Sequence, residues 1–171
     1  MPTVRPATAA DADAIGRVQV ETWRAAYTGL MPDEALAASD VAAQQRMWRE
    51  ILSRERRPGS AVFVAEADGA VVGFASVGAW REGEEVVEGV GELFAIYVRC
   101  ERWSTGTGRA LIERTEASMR ESGFTEARLW VLEGNERAER FYRAAGWEAD
   151  GRKVETFQGA EISEIRYRKA L

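Results

Sequence analysis

The chain has 171 residues, a length that fits one domain (residues 1–171) with an ample core. It contains no histidine and a single cysteine, which excludes a histidine-ligated metal site and an internal disulfide and fits a reducing cytoplasm. The net charge of −5 argues against nucleic-acid binding, and no stretch approaches the ~18 consecutive apolar residues of a membrane span or shows a signal-peptide profile.

The first part of the chain predicts a strand and a helix. The strand covers Thr3–Arg5, and Thr8 with Asp11 has the spacing of a capping box at a helix start. The helix spans about Ala9–Tyr27, where apolar residues alternate with polar positions along the pattern. Glycine and proline in the segment Gly29–Pro32 end it.

A second helix, a hairpin and a loop are predicted next. The helix spans about Asp40–Glu55 with Ser39 as its cap, and its apolar residues fall at helical spacing. Two alternating β-branched runs, Ala61–Ala67 and Val71–Val77, are joined by an Asp-Gly pair, the strongest short hairpin signal. The acidic, glycine-bearing stretch Arg81–Glu88 predicts a solvated loop, whose charge would also draw a cationic substrate.

The centre of the chain carries a strand, a glycine turn and a helix in direct succession. An apolar run over residues 93–98 leads to the turn Trp103–Gly108, and a helical pattern covers Arg109–Glu121. This order gathers backbone N–H groups at a helix N-terminus, where they hold an anion, usually phosphate. A P-loop is excluded because its lysine is absent, and the dinucleotide fingerprint needs a glycine where Leu111 stands.

The last part of the chain predicts a strand, a helix and a hairpin. The strand is Ala127–Leu132 and the helix is Glu136–Ala145, with an asparagine at its N-cap position and a glycine just past its end. The hairpin joins Trp147–Phe157 to Ile162–Arg168. Strands, helices and hairpins in this order predict an α+β chain with a mixed, mostly antiparallel central sheet flanked by helices.

Two motifs in the central part resemble one known family. Residues 92–98 read E-L-x-x-I-Y-V before a W-x-x-G-x-G turn at 103–108, and residues 135–147 read N-x-x-A-x-x-F-Y-x-x-x-G-aromatic. In this order and at this separation they resemble the GNAT superfamily of acyl-CoA-dependent N-acetyltransferases, tightly over residues 92–147 and more loosely over Trp23–Leu36. The resemblance implies the acyl-CoA N-acyltransferase architecture and transfer of an acetyl group from acetyl-CoA to a primary amine.

The resemblance also implies two sets of CoA-binding residues. In the family the pantetheine arm binds main-chain groups of the central strand as an added strand, and here these groups belong to Ile96, Tyr97 and Val98. That strand parts from the next one, often at a bulge, and the opening is the CoA cleft. The pyrophosphate binds the turn and the helix start, which here comprise Trp103, Ser104, Thr105, Gly106, Thr107, Gly108 and Arg109. Trp103 stands where the family usually has Gln or Arg, so Arg102 or Arg109 would supply the positive charge.

The family's general acid corresponds to Tyr142, which would protonate the departing thiolate. A phenol with a pKa of about 10 keeps its proton at pH 7, as that role requires. The alternative for Tyr142 is simple packing beside Phe141. The resemblance implies that Asn135 forms a hydrogen bond with the CoA arm. The alternative is that Asn135 only caps its helix, a role that needs no ligand.

Glu92 stands where related sequences carry a glutamate that acts as the base or orients a water molecule. Because the chain has no histidine, carboxylates are the remaining candidates for a base. A glutamate in water has a pKa of about 4.3, so burial or a water relay has to make it effective. The alternative is a structural hydrogen bond. Cys100 has no histidine to activate it, which argues against an acyl-cysteine route.

The resemblance places the acceptor pocket beside the first helices and implies Trp23, Tyr27 and Glu92 as substrate-binding residues. The alternative for the two aromatic residues is core packing, because residues four apart share a helix face. We expect a cytoplasmic monomer or homodimer that acetylates a small-molecule amine in a ternary complex, with no metal, nucleic-acid or membrane partner. A protein or peptide N-acetyltransferase, a non-catalytic acyl-CoA-binding regulator and an interaction module with a vestigial cleft remain open.

Overall fold

A seven-stranded sheet forms the centre of the protein in a computed structural model that describes residues 1–171. The strands are Thr3–Pro6 (β1), Ala61–Ala67 (β2), Ala70–Glu82 (β3), Glu85–Val98 (β4), Glu126–Leu132 (β5), Glu148–Phe157 (β6) and Ala160–Ala170 (β7). Their order in the sheet is β1-β2-β3-β4-β5-β7-β6. Only the β4–β5 pair is parallel, so the prediction of a mixed, mostly antiparallel sheet is confirmed.

Five helices flank this sheet. They are Ala12–Tyr27 (α1), Asp33–Ala37 (α2), Val41–Ser53 (α3), Thr107–Glu121 (α4) and Glu136–Ala144 (α5). The capping box before α1 is present, since the Asp11 carboxylate accepts from the Thr8 N–H at 2.7 Å at the start of a single 3₁₀ turn. No helix is long and apolar enough to cross a membrane.

The two faces of the sheet bury different apolar clusters, because successive side chains of a strand point to opposite faces. On one face, Phe74 packs with Ile15 of α1 and Trp48 of α3. On the other face, Leu129 of β5 packs in the cluster that contains Leu111 of α4. The helices therefore sandwich the sheet and fix the positions of β4 and β5 between them.

Strands β4 and β5 pair only over a short distance. Val90–Glu92 pair with Glu126–Arg128, and no pairing continues beyond them. A bulge at this point leaves Phe94 of β4 without a partner on β3, which bends the strand away from β5. The sheet is consequently open between residues 93–98 and the end of β5, in the place that the family resemblance implies.

The prediction of a loop at Arg81–Glu88 is wrong. After a register shift beyond Ala79, strands β3 and β4 pair again as a short two-stranded ribbon, Arg81 with Val86 and Glu82 with Glu85, and a tight turn at Gly83 joins them. Most side chains of this ribbon are exposed on both faces. The ribbon therefore lacks the usual alternation of apolar and polar residues, and its acidic composition is the same as that expected of a loop.

Helix α2 was not predicted, and the cap of α3 was assigned to the wrong residue. A proline precedes α2 and two acidic residues form its first turn, an arrangement that favours a helix N-terminus, while Leu36 is buried. The cap of α3 is Asp40, whose Oδ1 accepts from the Ala42 N–H at 3.0 Å, and not Ser39.

Candidate active site

The opening in the sheet leads to two adjoining cavities. The larger cavity, about 570 Å³, lies between residues 93–98 of β4, the end of β5 and the first parts of α4 and α5. The smaller cavity, about 310 Å³, lies between α1, β4, β5 and the β6–β7 hairpin. The residues that line both cavities mark the junction between them and are Tyr27, Leu93, Phe94, Tyr97, Trp130 and Leu132.

The turn before α4 presents free backbone donors at one end of the larger cavity. The first hydrogen bond into the helix runs from the Ala110 N–H to the Gly106 carbonyl at 3.0 Å, and the N–H groups of residues 104–109 donate to no backbone carbonyl. Gly106 has a φ of 89°, and a Cβ placed there would have no atom within 4 Å. Free N–H groups at an open helix N-terminus fit a phosphate group.

Basic side chains surround this end of the larger cavity, which is called the phosphate end because of the fit just described. Those that line the cavity are Arg102, Arg109, Arg137 and Arg140. The first two are paired with the carboxylates of Asp68 and Glu113. The guanidinium carbon of Arg137 lies 3.7 Å from the centroid of the Trp103 ring. The sequence analysis missed the two arginines of α5, although their spacing of three residues places both on one helix face.

The main chain of β4 faces the opening at alternate residues. The Arg99 N–H donates to the main chain of β3. Main-chain N–H and C=O groups of successive residues point to opposite sides of a strand, so those of Tyr97 also point to β3 and those of Ile96 and Val98 point to the opening. The Val98 carbonyl already accepts from Trp103 Nε1 at 2.7 Å. Ile96 and the Val98 N–H therefore remain for an added strand, and Tyr97 reaches the cavities through its side chain.

Tyr142 lines the larger cavity from α5. Its buried ring packs edge-on against Phe141, with centroids 5.2 Å apart, and lies 6.1 Å from the rings of Trp147 and Tyr167. Burial raises the pKa of its hydroxyl, which has no hydrogen-bond partner in the protein, so the phenol is protonated at neutral pH. The Tyr142 ring is therefore packed beside Phe141, and its hydroxyl remains free to donate a proton, so the two interpretations of this residue are compatible.

Helix α5 is held at both ends. At its start the Asn135 side-chain oxygen accepts from the Ala138 N–H at 3.2 Å, which leaves the amide NH₂ as a donor toward the larger cavity. At its end Lys169 Nζ donates to the Ala145 carbonyl at 2.7 Å and to the buried Glu116 carboxylate at 2.8 Å. These contacts fix the helix that carries Tyr142.

Glu92 lines the smaller cavity and does not line the larger one. Burial raises its pKa to about 7, with a further increase from Glu164 and an opposing effect of Lys153. No side-chain hydrogen bond to the Glu92 carboxylate contributes to this shift. A carboxylate with this pKa can accept a proton near neutral pH.

The aromatic residues of α1 form one wall of the smaller cavity. The rings of Trp23 and Tyr27 meet edge-on with centroids 5.5 Å apart, and Trp23 lies 5.5 Å from the ring of Phe157 on the β6–β7 hairpin. Both residues line the smaller cavity. The two interpretations of these residues, packing and pocket lining, are therefore compatible in this structure.

The β6–β7 hairpin contributes charged residues to the smaller cavity that the sequence analysis missed. Lys153 Nζ lies 3.0 Å from Glu164 and 3.2 Å from Glu155, and 4.5 Å from the centroid of the Trp130 ring. Together with Glu92, three carboxylates face one ammonium group, so the cavity favours a cation. No motif marks these positions, because Lys-x-Glu on a strand also describes an ordinary solvated edge.

A family model described as the acetyltransferase (GNAT) family matches residues 20–147. The chain belongs to the GNAT family. The uncharacterized N-acetyltransferase YuaI of Bacillus subtilis is 35% identical over 136 residues, which are 79% of this chain and 74% of that protein. An aminoglycoside N(6')-acetyltransferase type 1 of Stenotrophomonas maltophilia is 33% identical over 159 residues, 90% of each chain. The crystal structure of a ribosomal-protein-alanine N-acetyltransferase from Brucella melitensis matches 99% of both chains with a TM-score of 0.76 and 27% identity.

This GNAT protein is an acetyl-CoA-dependent N-acetyltransferase, and the turn before α4 has features of its own. Trp103 binds the Val98 carbonyl and stacks under an arginine, so it braces the turn. Thr105 and Thr107 also brace it, since their hydroxyls lie 3.0 Å apart and Thr107 is buried. Ser104, Gly106, Gly108 and Arg109 line the cavity, whereas the two threonines do not.

The remaining candidate, Cys100, lies outside both cavities. It is exposed, and its thiol is near the carboxylate of Glu101 at 3.4 Å. The GNAT site thus contains no cysteine on either side of the junction.

Proposed function

We propose that this N-acetyltransferase transfers the acetyl group directly to the primary amine of a small molecule while both substrates are bound. The observation that carries the proposal is the pair of cavities that meet at one junction. A volume of about 570 Å³ suits an extended cofactor arm, and about 310 Å³ is near the lower end of small-ligand pockets. A protein acceptor would need a longer groove.

Acetyl-CoA supplies the acetyl group as a thioester, and the larger cavity is suited to hold it. The N–H groups of residues 104–109, the dipole of α4 and nearby arginines would bind its phosphates. Ile96 would extend its main chain to the pantetheine arm, and Asn135 would donate its side-chain NH₂ to the same arm. These contacts leave the junction as the place for the reacting carbonyl.

The two proton-handling residues lie on opposite sides of the junction. Glu92, in the smaller cavity, would accept a proton from the incoming ammonium group, directly or through water, so that the amine lone pair is free. Tyr142, in the larger cavity, would donate its proton to the sulfur as the carbon–sulfur bond breaks. The second proton that the nitrogen loses as the amide forms would return to the Tyr142 oxygen through water and restore the phenol. A base on the acceptor side and an acid on the CoA side are what direct transfer requires.

Two features support a cationic small-molecule acceptor. The smaller cavity combines aromatic walls with a net negative charge, which attracts an alkylammonium group through cation–π and ionic contacts. The aminoglycoside N(6')-acetyltransferase among the relatives is named for a small cationic acceptor. The ribosomal-protein-alanine N-acetyltransferase shares the fold and is named for a protein acceptor. The choice of a small-molecule acceptor therefore rests on the size and charge of the smaller cavity and not on the names of similar proteins.

A screen of free amines with detection of the released CoA thiol tests the proposal. Small amines of matched size, with and without a second ammonium group, are compared with peptides that carry a free N-terminus. We expect turnover with small amines and none with peptides, and a loss of that turnover in Tyr142→Phe as the matched control. Turnover confined to peptides would contradict the acceptor class, and an absence of turnover with either group would contradict the enzymatic proposal.

A further inference from the structure

The side chain of Tyr97 occupies a position that the assigned roles do not explain. It lines both cavities and so lies at their junction, where the reacting carbonyl is placed by the proposed function. Its main chain pairs with β3, which leaves the ring as its contribution to the site. The ring is anchored by Phe74, whose centroid is 5.7 Å away in the core.

The hydroxyl of Tyr97 is oriented by a donor that cannot act as an acceptor. Trp23 Nε1 donates to the Tyr97 oxygen at 2.8 Å, and an indole N–H has no acceptor capacity. The Tyr97 proton must therefore point elsewhere. The nearest protein acceptor is the Tyr27 oxygen at 3.5 Å, which is at the limit of a hydrogen bond.

The phenol is thus a donor without a good partner inside the protein. Burial raises the pKa of Tyr97 and also that of Tyr27, so both hydroxyls keep their protons at neutral pH. An oriented, protonated donor suits an oxygen that gains negative charge, because it needs no reorganisation when the charge develops. It is poorly suited to an ammonium group, which requires an acceptor.

We propose that the Tyr97 hydroxyl, held by Trp23, donates a hydrogen bond to the carbonyl oxygen of the acetyl group at the junction of the two cavities. This inference rests on the proposed function. Tyr97 keeps its proton throughout, while the amine nitrogen bonds to the carbonyl carbon and the carbon–sulfur bond breaks. Tyr142 supplies the proton to sulfur, so the two phenols act on different atoms.

The first test needs no acceptor amine and is made with acetyl-CoA labelled with ¹³C at the carbonyl. Infrared difference spectra of the bound cofactor should show a carbonyl stretch at lower frequency than in solution for the wild type. In Tyr97→Phe, which keeps the ring, the band should return toward its solution position, and the affinity for free CoA should be unchanged. The matched control is Tyr167→Phe, which also removes a buried hydroxyl and should leave the band where it is.

Kinetics with an identified amine provide the second test. Loss of one oxyanion donor costs about 10²–10³ in kcat, and the KM for the amine should stay within about twofold. Trp23→Phe should lower kcat less, because it frees the hydroxyl without removing it, and the double variant should be no slower than Tyr97→Phe alone. A carbonyl band that is the same in wild type and Tyr97→Phe, or a wild-type kcat in that variant, would overturn the inference. If the band shifts but no amine is turned over, only the proposed function fails.

Discussion

The phosphate end of the larger cavity and the wall of the smaller cavity are built in different ways. The phosphate end consists mainly of the free backbone N–H groups of residues 104–109, which belong to one contiguous turn and the start of one helix. The smaller cavity is made of side chains from α1, β4, β5, β6 and β7. In the proposed function the cosubstrate is therefore held by local chain geometry, and the acceptor faces residues that are far apart in sequence.

This difference predicts what substitutions do at each end. A change at the phosphate end should affect CoA binding and leave the chemical step alone. A change among the residues that flank the junction should affect turnover and leave CoA binding alone. Four substitutions, from the largest expected effect to the smallest, test whether the two ends are as independent as their construction implies.

Tyr142→Phe should have the largest effect, because it removes the proposed proton donor and keeps the packed ring. We expect kcat to fall by about 10²–10⁴, with little change in the dissociation constant of acetyl-CoA. Steady-state kinetics and calorimetry on the same variant make the comparison. Wild-type turnover would show that water donates the proton, and weaker CoA binding would show that the two ends are coupled.

Glu92→Gln should remove the acidic limb of the pH profile of kcat/KM. With a pKa of about 7, the wild-type carboxyl is protonated below that value, so kcat/KM should fall about tenfold per pH unit there. The variant should be on the order of 10²-fold slower at pH 8 and should show no limb near pH 7. A limb that persists in the variant would assign the titration to another group.

The same substitution should change the pH dependence of stability. The folded pKa lies above that of an exposed glutamate, so between about 4.5 and about 7 the folded state holds a proton that the unfolded state has lost. The wild type should therefore lose stability as pH rises through this window, and Glu92→Gln should lose less. Chemical denaturation at pH 5 and pH 8 measures this directly.

Gly106→Val should weaken CoA binding and leave chemistry intact at saturation. A side chain would enter the path of the phosphate, and the loss of one or two charge-assisted hydrogen bonds corresponds to about 10–100-fold in affinity. The φ of 89° also makes valine strained, so a matched control is needed. Gly123→Val shares a φ of 87° and open surroundings at the other end of α4, and it should lose stability without losing CoA affinity.

Arg137→Ala should have the smallest effect. Its guanidinium is exposed and stacks on Trp103, so we expect a loss of CoA affinity of a few fold that shrinks as salt is raised. Arg143→Ala, on the same helix but outside both cavities, is the control and should bind CoA normally. An equal loss in both variants would indicate a general charge effect of α5.

The same contrast explains which parts of the site can be predicted from the sequence. The turn with its two glycines and the motif around Tyr142 are each a short run of consecutive residues, so the spacing within each run places it on a turn or a helix. Lys153, Glu155 and Glu164 sit on a hairpin whose position beside β5 depends on the order β5-β7-β6, which no local pattern encodes. The sequence alone therefore could not predict that these three residues line the smaller cavity.

Two intermediate cases show where local patterns mislead. Tyr97 belongs to the recognised motif, but its main-chain direction follows from the register with β3, and only that register shows that its side chain is what reaches the junction. In the ribbon at Arg81–Glu88, Arg81 pairs with Val86 and Glu82 with Glu85, although the glutamates of this stretch predict a loop. In both cases the missing information is the partner strand, because pairing and not composition decides which groups are exposed.

The parting of β4 and β5 also has a consequence for what the opening can admit. Residues 93–98 form an unpaired strand edge in the interior of a sheet, and an exposed edge of this kind normally recruits other chains. Here the edge faces a cavity of about 570 Å³ that β5, α4 and α5 also line, and it does not lie on the outer rim of the sheet. A ligand inside that cavity can pair with the edge, whereas β5 and the two helices cover the edge against pairing with another chain's sheet.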